Sequence, residues 1–430
     1  MRGPSKRTLT NLPIPTAGET VGDKVILELI RDAKAPTGLA LLRRDGRRRA
    51  VGARQKIGGK IYVPPNVDGR LVVGVRLPVR MSPYGSARKL FGEIENLFRT
   101  FGGLNKGQAA LATYIGFGTF FVDLATIAPC LILTGPDVFQ AAQLLKVFGC
   151  VTRHPVLLSG LGTSLYDLPY SVQPTVLLYQ PARSPLVKLL HAASQVRGFS
   201  VARQGTVEDL FGAKVMYLGD RSLKGLAAET AIRVALSPPP AGTPLLTDDI
   251  KEKLANEFQA KLLRYRIDNF ARVRRSDFDA PQLAGSARVI ARFLGSCFPG
   301  NRELQSGVLR SLAGMDEAAR VALAMRPESL LVEALLIQCH EDKEAVYVGD
   351  VTSSVNAILR ERGETFKVDA RAVGPKIASL GLFTKRDASG YAFKVTNEIR
   401  RQVHQLAGAY AVPTFLKSCP LCREFSSRVQ

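Results

Sequence analysis

The sequence predicts an α/β protein whose parallel sheet is covered by helices, with a small β-rich region before it and a small helix-and-hairpin domain after it. Between residues 104 and 240, continuous apolar segments alternate with amphipathic ones. Short alternating runs divided by Gly, Pro and Asn, the last of them at 70–79, precede this block and predict strands, and helical segments with a hairpin follow it. Apolar residues at helical spacing predict helices at 86–101, 105–124 and 184–195. Buried apolar strands that alternate with helices are typical of a parallel sheet covered on both faces.

Composition indicates a globular chain with a polyanionic partner. Of the 430 residues, 46% are hydrophobic. The chain has 59 Lys and Arg and 37 Asp and Glu, which gives a formal net charge of +22. Clustered cations release counterions when they meet phosphates, so we expect nucleic acid, with duplex DNA first. A generally basic composition, or a ribonucleoprotein setting that involves RNA, is the alternative.

Cysteine usage and hydropathy predict a cytoplasmic protein without a disulfide framework or a membrane segment. Four of the six cysteines lie in apolar surroundings and are expected to be buried thiols. The N-terminus lacks the apolar core of a signal peptide. The longest apolar run carries Asp123 and breaks at Pro129, so it predicts a buried helix followed by a buried strand.

Breaks in composition predict six segments. These are a flexible N-terminus (1–20), a β-rich domain (21–82), the α/β domain (83–240), a helical region (245–340), a C-terminal domain (341–412) and a tail (413–430). The β-rich domain includes "RRDGRRR" (43–49) as a basic hairpin tip, which either contacts nucleic acid or is merely solvated. In the helical region, "KLLRYRIDNFARVRR" (261–275) predicts a packed helix whose arginines reach solvent.

The stretch "LILTGPDVFQAAQLLKVFG" (131–149) has the pattern of a phosphate-binding P-loop. A working loop, G-x-x-x-x-G-K-[ST], needs glycine for close backbone approach, lysine for phosphate charge and a hydroxyl for Mg²⁺. Gly135 and Pro136 are present, but the three functional places are taken by Gln140, Ala141 and Ala142. None of the three can do the job of the residue whose place it takes.

A second strand carries a matching loss. "TVLLYQP" (175–181) has the form of the strand that ends in Asp and Glu in P-loop ATPases, where the acids hold the metal and orient water. Tyr179 and Gln180 occupy those two places.

With both strands in view, residues 104–240 resemble the helicase-type P-loop domain of primase-helicases and related replication proteins of phages, plasmids and integrated elements. The matches surround the altered positions and are Gly135, Pro136, Leu144, Leu145, Arg153, Pro155, Thr175, Leu177, Pro181, Arg233, Leu236 and Pro238. The resemblance implies a P-loop NTPase-like sheet, and the departures at the catalytic places imply a pseudo-ATPase that needs neither ATP nor Mg²⁺. It also offers Arg153 and Arg233 as nucleotide-sensing arginines, with a structural role as the alternative.

The C-terminal domain predicts a helix at 351–362, a second helix that Asp369 caps and Gly381 ends, and two short strands about the turn at 387–390. This order resembles a winged helix-turn-helix. The resemblance places Arg371 and Lys376 on a recognition helix in the major groove, and Lys385, Arg386 and Lys394 on a wing that holds phosphates. Pro375 departs from the pattern by lying inside the helix. A winged helix used for protein contacts is the alternative.

"KSCPLCREF" (417–425) places Cys419 and Cys422 at zinc-ligand spacing. One such pair is half a site, and His404 is the only histidine close before it. Three interpretations remain open. The pair binds zinc, which includes zinc shared across a dimer; it is a redox pair; or it lies in a frayed tail.

No constellation of catalytic residues stands out, which favours a non-enzymatic DNA-binding protein of a mobile element or phage-like locus, acting in replication, loading or regulation. An ATPase or helicase with an atypical nucleotide site is the second hypothesis. A homo-oligomer or a structural partner of an active P-loop ATPase is the third.

Overall fold

The structure is a computed structural model of the full chain. It describes residues 12–161, 170–180, 194–203, 206–219, 230–413 and 418–426, apart from 23, 36, 325 and 342. It also describes the single residues 168, 187, 190 and 416. Most of the predicted flexible N-terminus, most of the helix predicted at 184–195, Pro181 and part of the tail lie outside the described residues. The chain forms two compact units, residues 1–313 and residues 314–430.

The first unit begins with two small sheets, as the sequence predicts. A four-stranded antiparallel sheet has the order β2-β3-β4-β5, and a three-stranded sheet has the order β1-β7-β6. Their strands are β1 (Ile14–Pro15), β2 (Gly18–Val21), β3 (Val25–Arg31), β4 (Leu39–Asp45), β5 (Arg48–Gly52), β6 (Gln55–Ile57) and β7 (Lys60–Val63). Gly46 has a φ of 57° in the tight turn between β4 and β5, so the basic hairpin tip is confirmed.

The run 70–79, for which the sequence predicts a further strand, begins instead as a helical turn, and Val75 after the turn forms an antiparallel bridge with Val156. Helix α1 spans Gly69–Gly74. The Asp68 carboxylate accepts the Arg70 N–H at 2.7 Å, and the backbone carbonyl of Asp68 accepts the Val72 N–H at 3.1 Å. These two hydrogen bonds start the helix. A short apolar run does not distinguish strand from helix by periodicity alone.

Two predicted helices follow with capped ends. They are α2 (Ala87–Thr100) and α3 (Lys106–Thr119). Asn105 and Gln108 form a reciprocal capping box at the start of α3. Because nearly all of α3 is buried, the long apolar run reads as a core helix, as predicted. Within the described residues, no helix is long and apolar enough to cross a membrane.

A five-stranded sheet forms the centre of the first unit, and the prediction of a parallel α/β fold is confirmed. Its order is β14-β8-β13-β10-β9, and every neighbouring pair is parallel. The strands are β8 (Cys130–Thr134), β9 (Pro155–Leu158), β10 (Thr175–Tyr179), β13 (Lys214–Tyr217) and β14 (Ile232–Ala235), and a separate hairpin pairs β11 (Val201–Arg203) with β12 (Thr206–Glu208). Helix α4 (Val138–Val151) packs against the sheet, which is consistent with a P-loop NTPase-like fold.

Helices complete the first unit and lead into the second. They are α5 (Asp248–Arg274), α6 (Gly285–Ser296) and α7 (Arg302–Ala324).

The second unit is built on three further helices, a three-stranded sheet and a last helical pair. Its elements are α8 (Pro327–His340), β15 (Ala345–Tyr347), α9 (Val348–Glu361), α10 (Ala370–Ser379), β16 (Lys385–Asp387), β17 (Gly390–Lys394), α11 (Asn397–Ala409) and α12 (Pro420–Ser426). The sheet order is β15-β17-β16, and both pairings are antiparallel. One apolar core joins α8, α9, α10 and α11. Strand β15 was not anticipated from the sequence.

Candidate functional site

The turn after β8 is short and closed, unlike an open phosphate loop. Only Gly135, Pro136 and Asp137 separate the strand from helix α4. Gly135 has a φ of 134°, and a Cβ there would lie 2.9 Å from the Leu236 carbonyl oxygen. The Asp137 carboxylate accepts the Gln140 N–H at 2.8 Å and so caps the helix. The glycine therefore serves packing, and a carboxylate lies at the helix N-terminus where phosphate would bind.

The three degenerate P-loop places lie on the first turns of α4 and face the protein. Gln140 is buried and its Nε2 donates to the Gly102 carbonyl at 3.1 Å. Ala141 is fully buried, and Ala142 is half-buried. A lysine at 141 would therefore point into the core and not toward a phosphate.

The two places of the missing acids make structural contacts. The rings of Tyr179 and Tyr217 stack with centroids 5.4 Å apart, and the Tyr217 hydroxyl donates to the Gly135 carbonyl at 2.8 Å. Gln180 Oε1 accepts the Leu161 N–H at 3.1 Å. These side chains link the ends of β10, β13 and β8, and neither of the two places carries a carboxylate.

Of the two candidate nucleotide-sensing arginines, Arg153 is buried and Arg233 is exposed on β14. Arg153 pairs with Glu28 of β3, which also accepts Arg266 Nε at 2.8 Å. Burial alone would raise the pKa of Glu28, but the two guanidinium groups and a hydrogen bond with His154 outweigh it and lower that pKa. Arg153 therefore belongs to a buried ion network that joins the N-terminal sheet to the α/β domain.

The basic segment 261–275 of α5 serves more than one purpose. Arg266 is fully buried and also pairs with Asp123, with N–O distances of 2.8 and 2.9 Å. Toward the end of α5, Arg272, Arg275 and Arg302 line an open cavity of about 610 Å³. The packed-helix interpretation is correct for the middle of the segment, while its end is a basic surface.

In the second unit, exposed basic side chains lie on α10 and on the β16–β17 hairpin. Arg371 and Lys376 are exposed on α10, and Lys385, Arg386 and Lys394 are exposed on β16 and β17. The helix starts at the predicted cap, where Asp369 accepts the Ala372 N–H at 2.8 Å, and it continues through Pro375.

Two details refine this basic surface. Lys376 lies 3.1 Å from the Glu328 carboxylate of α8, so its charge is partly used within the protein. Phe383, between α10 and the hairpin, is 79% exposed, and Tyr391 of β17 is 55% exposed. Such aromatic rings beside cations offer stacking surfaces to bases or sugars.

The CxxC pair lies beside two histidines. Cys419 and Cys422 of the tail meet His340, the last residue of α8, and His404 of α11. All four ligand atoms lie within 4.8 Å of one another. Cys419 and Cys422 were predicted from their spacing, and His404 was noted only as lying before them in the chain. His340 was missed because it is distant in the chain and ends an ordinary apolar helix.

No protein-family model and no curated protein sequence matches this chain. Among solved structures, the C-terminal region of NrS-1 in its apo A form is similar at 8% identity and a TM-score of 0.37, covering 86% of this chain and 96% of that one. A full-length MCM homolog from Methanopyrus kandleri is similar at 9% identity and a TM-score of 0.36, covering 70% and 76%. Drosophila ORC bound to DNA is similar at 13% identity and a TM-score of 0.18, covering 81% and 95%. These overlaps are loose, and none assigns an activity to the chain.

Proposed function

We propose that the chain is a non-catalytic DNA-binding protein that holds duplex DNA through a winged helix in its second unit. The observation that carries the proposal is the exposed β16–β17 hairpin, where Lys385, Arg386 and Lys394 project beside α10. Residues 369–401 include seven Lys or Arg and three acidic residues. A surface with this excess attracts phosphates at any sequence.

The order of elements supports the winged-helix assignment. Helix α8, strand β15, helices α9 and α10 and the β16–β17 hairpin follow one another around one core. In that plan α10 is the recognition helix, because it is the second helix of the helix-turn-helix pair. Its exposed Arg371 is suited to base edges, and the hairpin lysines and arginine are suited to the phosphates beside them.

The first unit supports a scaffold role in place of ATP hydrolysis. A phosphate at the start of α4 would meet the Asp137 carboxylate instead of a lysine. Removing the lysine, the hydroxyl and both acids removes the charges that offset a triphosphate and its metal. We therefore propose a pseudo-ATPase, and the sequence resemblance to primase-helicase domains supports a role in the replication, loading or regulation of a mobile or phage-like element.

One observation favours a second candidate function, as the structural partner of an active ATPase. Val138 and Phe139, at the start of α4, are 48% and 62% exposed. Apolar side chains at the mouth of a nucleotide site suit contact with a protein better than contact with a triphosphate.

The test of the proposed function is a fluorescence anisotropy titration of labelled duplex DNA by the full-length protein at several salt concentrations. Duplex RNA of the same sequence and poly-glutamate serve as competitors. We expect tight binding with a steep salt dependence, displaced by unlabelled duplex DNA far better than by poly-glutamate. Equal displacement by unlabelled duplex DNA and by poly-glutamate would contradict the proposal, since it would indicate charge attraction alone.

A further inference from the structure

Four side chains in the second unit surround one point at the spacing of a tetrahedral metal site. His340 Nε2 lies 3.2 Å from His404 Nε2 and 3.2 Å from Cys422 Sγ. His404 Nε2 lies 3.4 Å from the sulfurs of both Cys419 and Cys422. With Zn–N near 2.05 Å and Zn–S near 2.3 Å, a regular tetrahedron has N–N edges of about 3.3 Å and N–S edges of about 3.6 Å. These four of the six ligand separations are within about 0.4 Å of those edges, and all six are below 4.8 Å.

We propose that His340, His404, Cys419 and Cys422 bind one Zn²⁺ per chain as a structural Cys₂His₂ site. Two thiolates and two imidazoles in a tetrahedral arrangement favour zinc over Mg²⁺ or Ca²⁺, which prefer oxygen ligands. The four protein ligands leave no open position for water or substrate, so the site is structural and not catalytic.

A hydrogen bond made by His404 leaves the correct nitrogen of that ring free to act as a ligand. His404 Nδ1 lies 2.7 Å from the Arg400 carbonyl oxygen, which only accepts, so Nδ1 carries the proton. The lone pair is thereby left on Nε2, the atom that faces His340 and both sulfurs. Three polar atoms within 3.4 Å of one unprotonated nitrogen are best satisfied by a shared cation.

The site would fasten three elements that are far apart in the sequence. His340 ends α8 directly after the core residue Cys339, His404 lies buried on α11, and Cys422 lies buried on α12. Among the residues that the structure describes, the apolar core of the second unit ends at Val412, and no described residue of the tail beyond it belongs to that core. Zinc would therefore supply the free energy that holds α12 against the second unit.

The experiment is a metal analysis of the full-length protein, produced with zinc in the medium and purified in reducing buffer without chelator. Plasma mass spectrometry should find one zinc per chain. Cys419→Ser with Cys422→Ser should lose it, whereas Cys297→Ala, a buried thiol of the first unit, should keep it. Replacement of zinc by Co²⁺ should give the intense visible bands of tetrahedral cobalt with thiolate ligands, a readout that the wild-type protein provides even where a variant fails to fold.

Three results would overturn the proposal. They are wild-type protein that holds well below one zinc per chain, cobalt protein without the tetrahedral thiolate bands, and a double variant that retains the metal. Half a zinc per chain in a dimer would indicate a shared site and would likewise overturn the four-ligand site within one chain. A Cys419–Cys422 disulfide in protein purified without reductant, with no metal bound after reduction, would assign the pair to redox chemistry.

Discussion

The Asp137 carboxylate accepts the backbone N–H of Gln140 at 2.8 Å and so fills the N-terminus of α4 with the protein's own negative charge. In a nucleotide-binding P-loop, the same end of the corresponding helix holds phosphate, because its free N–H groups and dipole favour an anion. Here the anion is built in. The chain keeps the strand, turn and helix of the fold while using the binding end for a helix cap.

Removing this cap tests whether Asp137 is structural. We expect Asp137→Ala to lower the free energy of unfolding by about 1 kcal/mol, because α4 loses its side-chain cap. Asp137→Asn should be nearly neutral, since asparagine caps equally well without the charge. Urea denaturation of both variants measures the difference. Equal destabilisation by alanine and asparagine would contradict the cap and indicate that the charge itself matters.

Restoring the P-loop residues should not restore nucleotide binding. We expect Gln140→Gly, Ala141→Lys and Ala142→Ser together to destabilise the first unit by several kcal/mol, because Ala141 is fully buried and a lysine there loses its hydration. Calorimetry should detect no Mg-ATP binding. Ala142→Ser alone is the control and should fold normally, since that side chain is half-buried. A stable triple variant that binds ATP would show that the turn can open.

The buried ion network around Glu28 should contribute strongly to stability. We expect Glu28→Gln to cost about 3 kcal/mol or more, because Arg153 and Arg266 lose their shared counter-charge inside the protein. Glu252→Gln is the matched control at a surface pair with Arg76, and it should cost no more than about 1 kcal/mol. Urea unfolding of the two variants compares them.

The sign of the pH effect follows from the lowered pKa of Glu28. A carboxyl whose folded pKa is depressed stabilises the protein above its unfolded pKa, near 4.3, and this contribution fades as the pH falls toward the folded value. Between pH 7 and about pH 3, wild-type protein should therefore lose more stability than Glu28→Gln. Parallel losses in the two proteins would assign the acid sensitivity to other carboxylates.

The hairpin of the second unit should carry phosphate contacts. We expect Lys385→Glu with Arg386→Glu to weaken duplex DNA binding and to lower the slope of log K against log salt by about 2, one for each lost contact. Arg48→Glu with Arg49→Glu changes the net charge equally at the N-terminal hairpin and should have a smaller effect. A larger loss from the N-terminal pair would move the DNA surface to the first unit.

Sequence patterns predicted the parallel sheet well because its strands are continuous apolar runs, such as the one from Cys130 to Leu133, each followed by a turn or a helix. They failed at the start of the run 70–79, where an Asp68 cap and a few apolar residues make a helical turn that periodicity cannot distinguish from a strand. The departures from the P-loop motif were visible in the sequence as missing residue types. The helix cap made by Asp137 was not, because it depends on where α4 begins.

The His/Cys cluster shows the same division. A CxxC pair is local and is read directly from the sequence, but His340 and Cys422 are brought to 3.2 Å only by the packing of α8 against α11 and the return of the tail. Spacing rules find ligands that are close in the chain, whereas the proposed zinc site would draw half its ligands from separate helices.

The most direct test of the central claim is a salt titration of duplex DNA binding by the full-length protein, run with and without Mg-ATP. The account predicts strong binding that weakens steeply with salt and is unchanged by Mg-ATP, because the start of α4 cannot accept a triphosphate. Binding that strengthens, weakens or changes its salt slope when Mg-ATP is added would contradict the pseudo-ATPase assignment and show that the turn at Gly135–Asp137 still receives nucleotide.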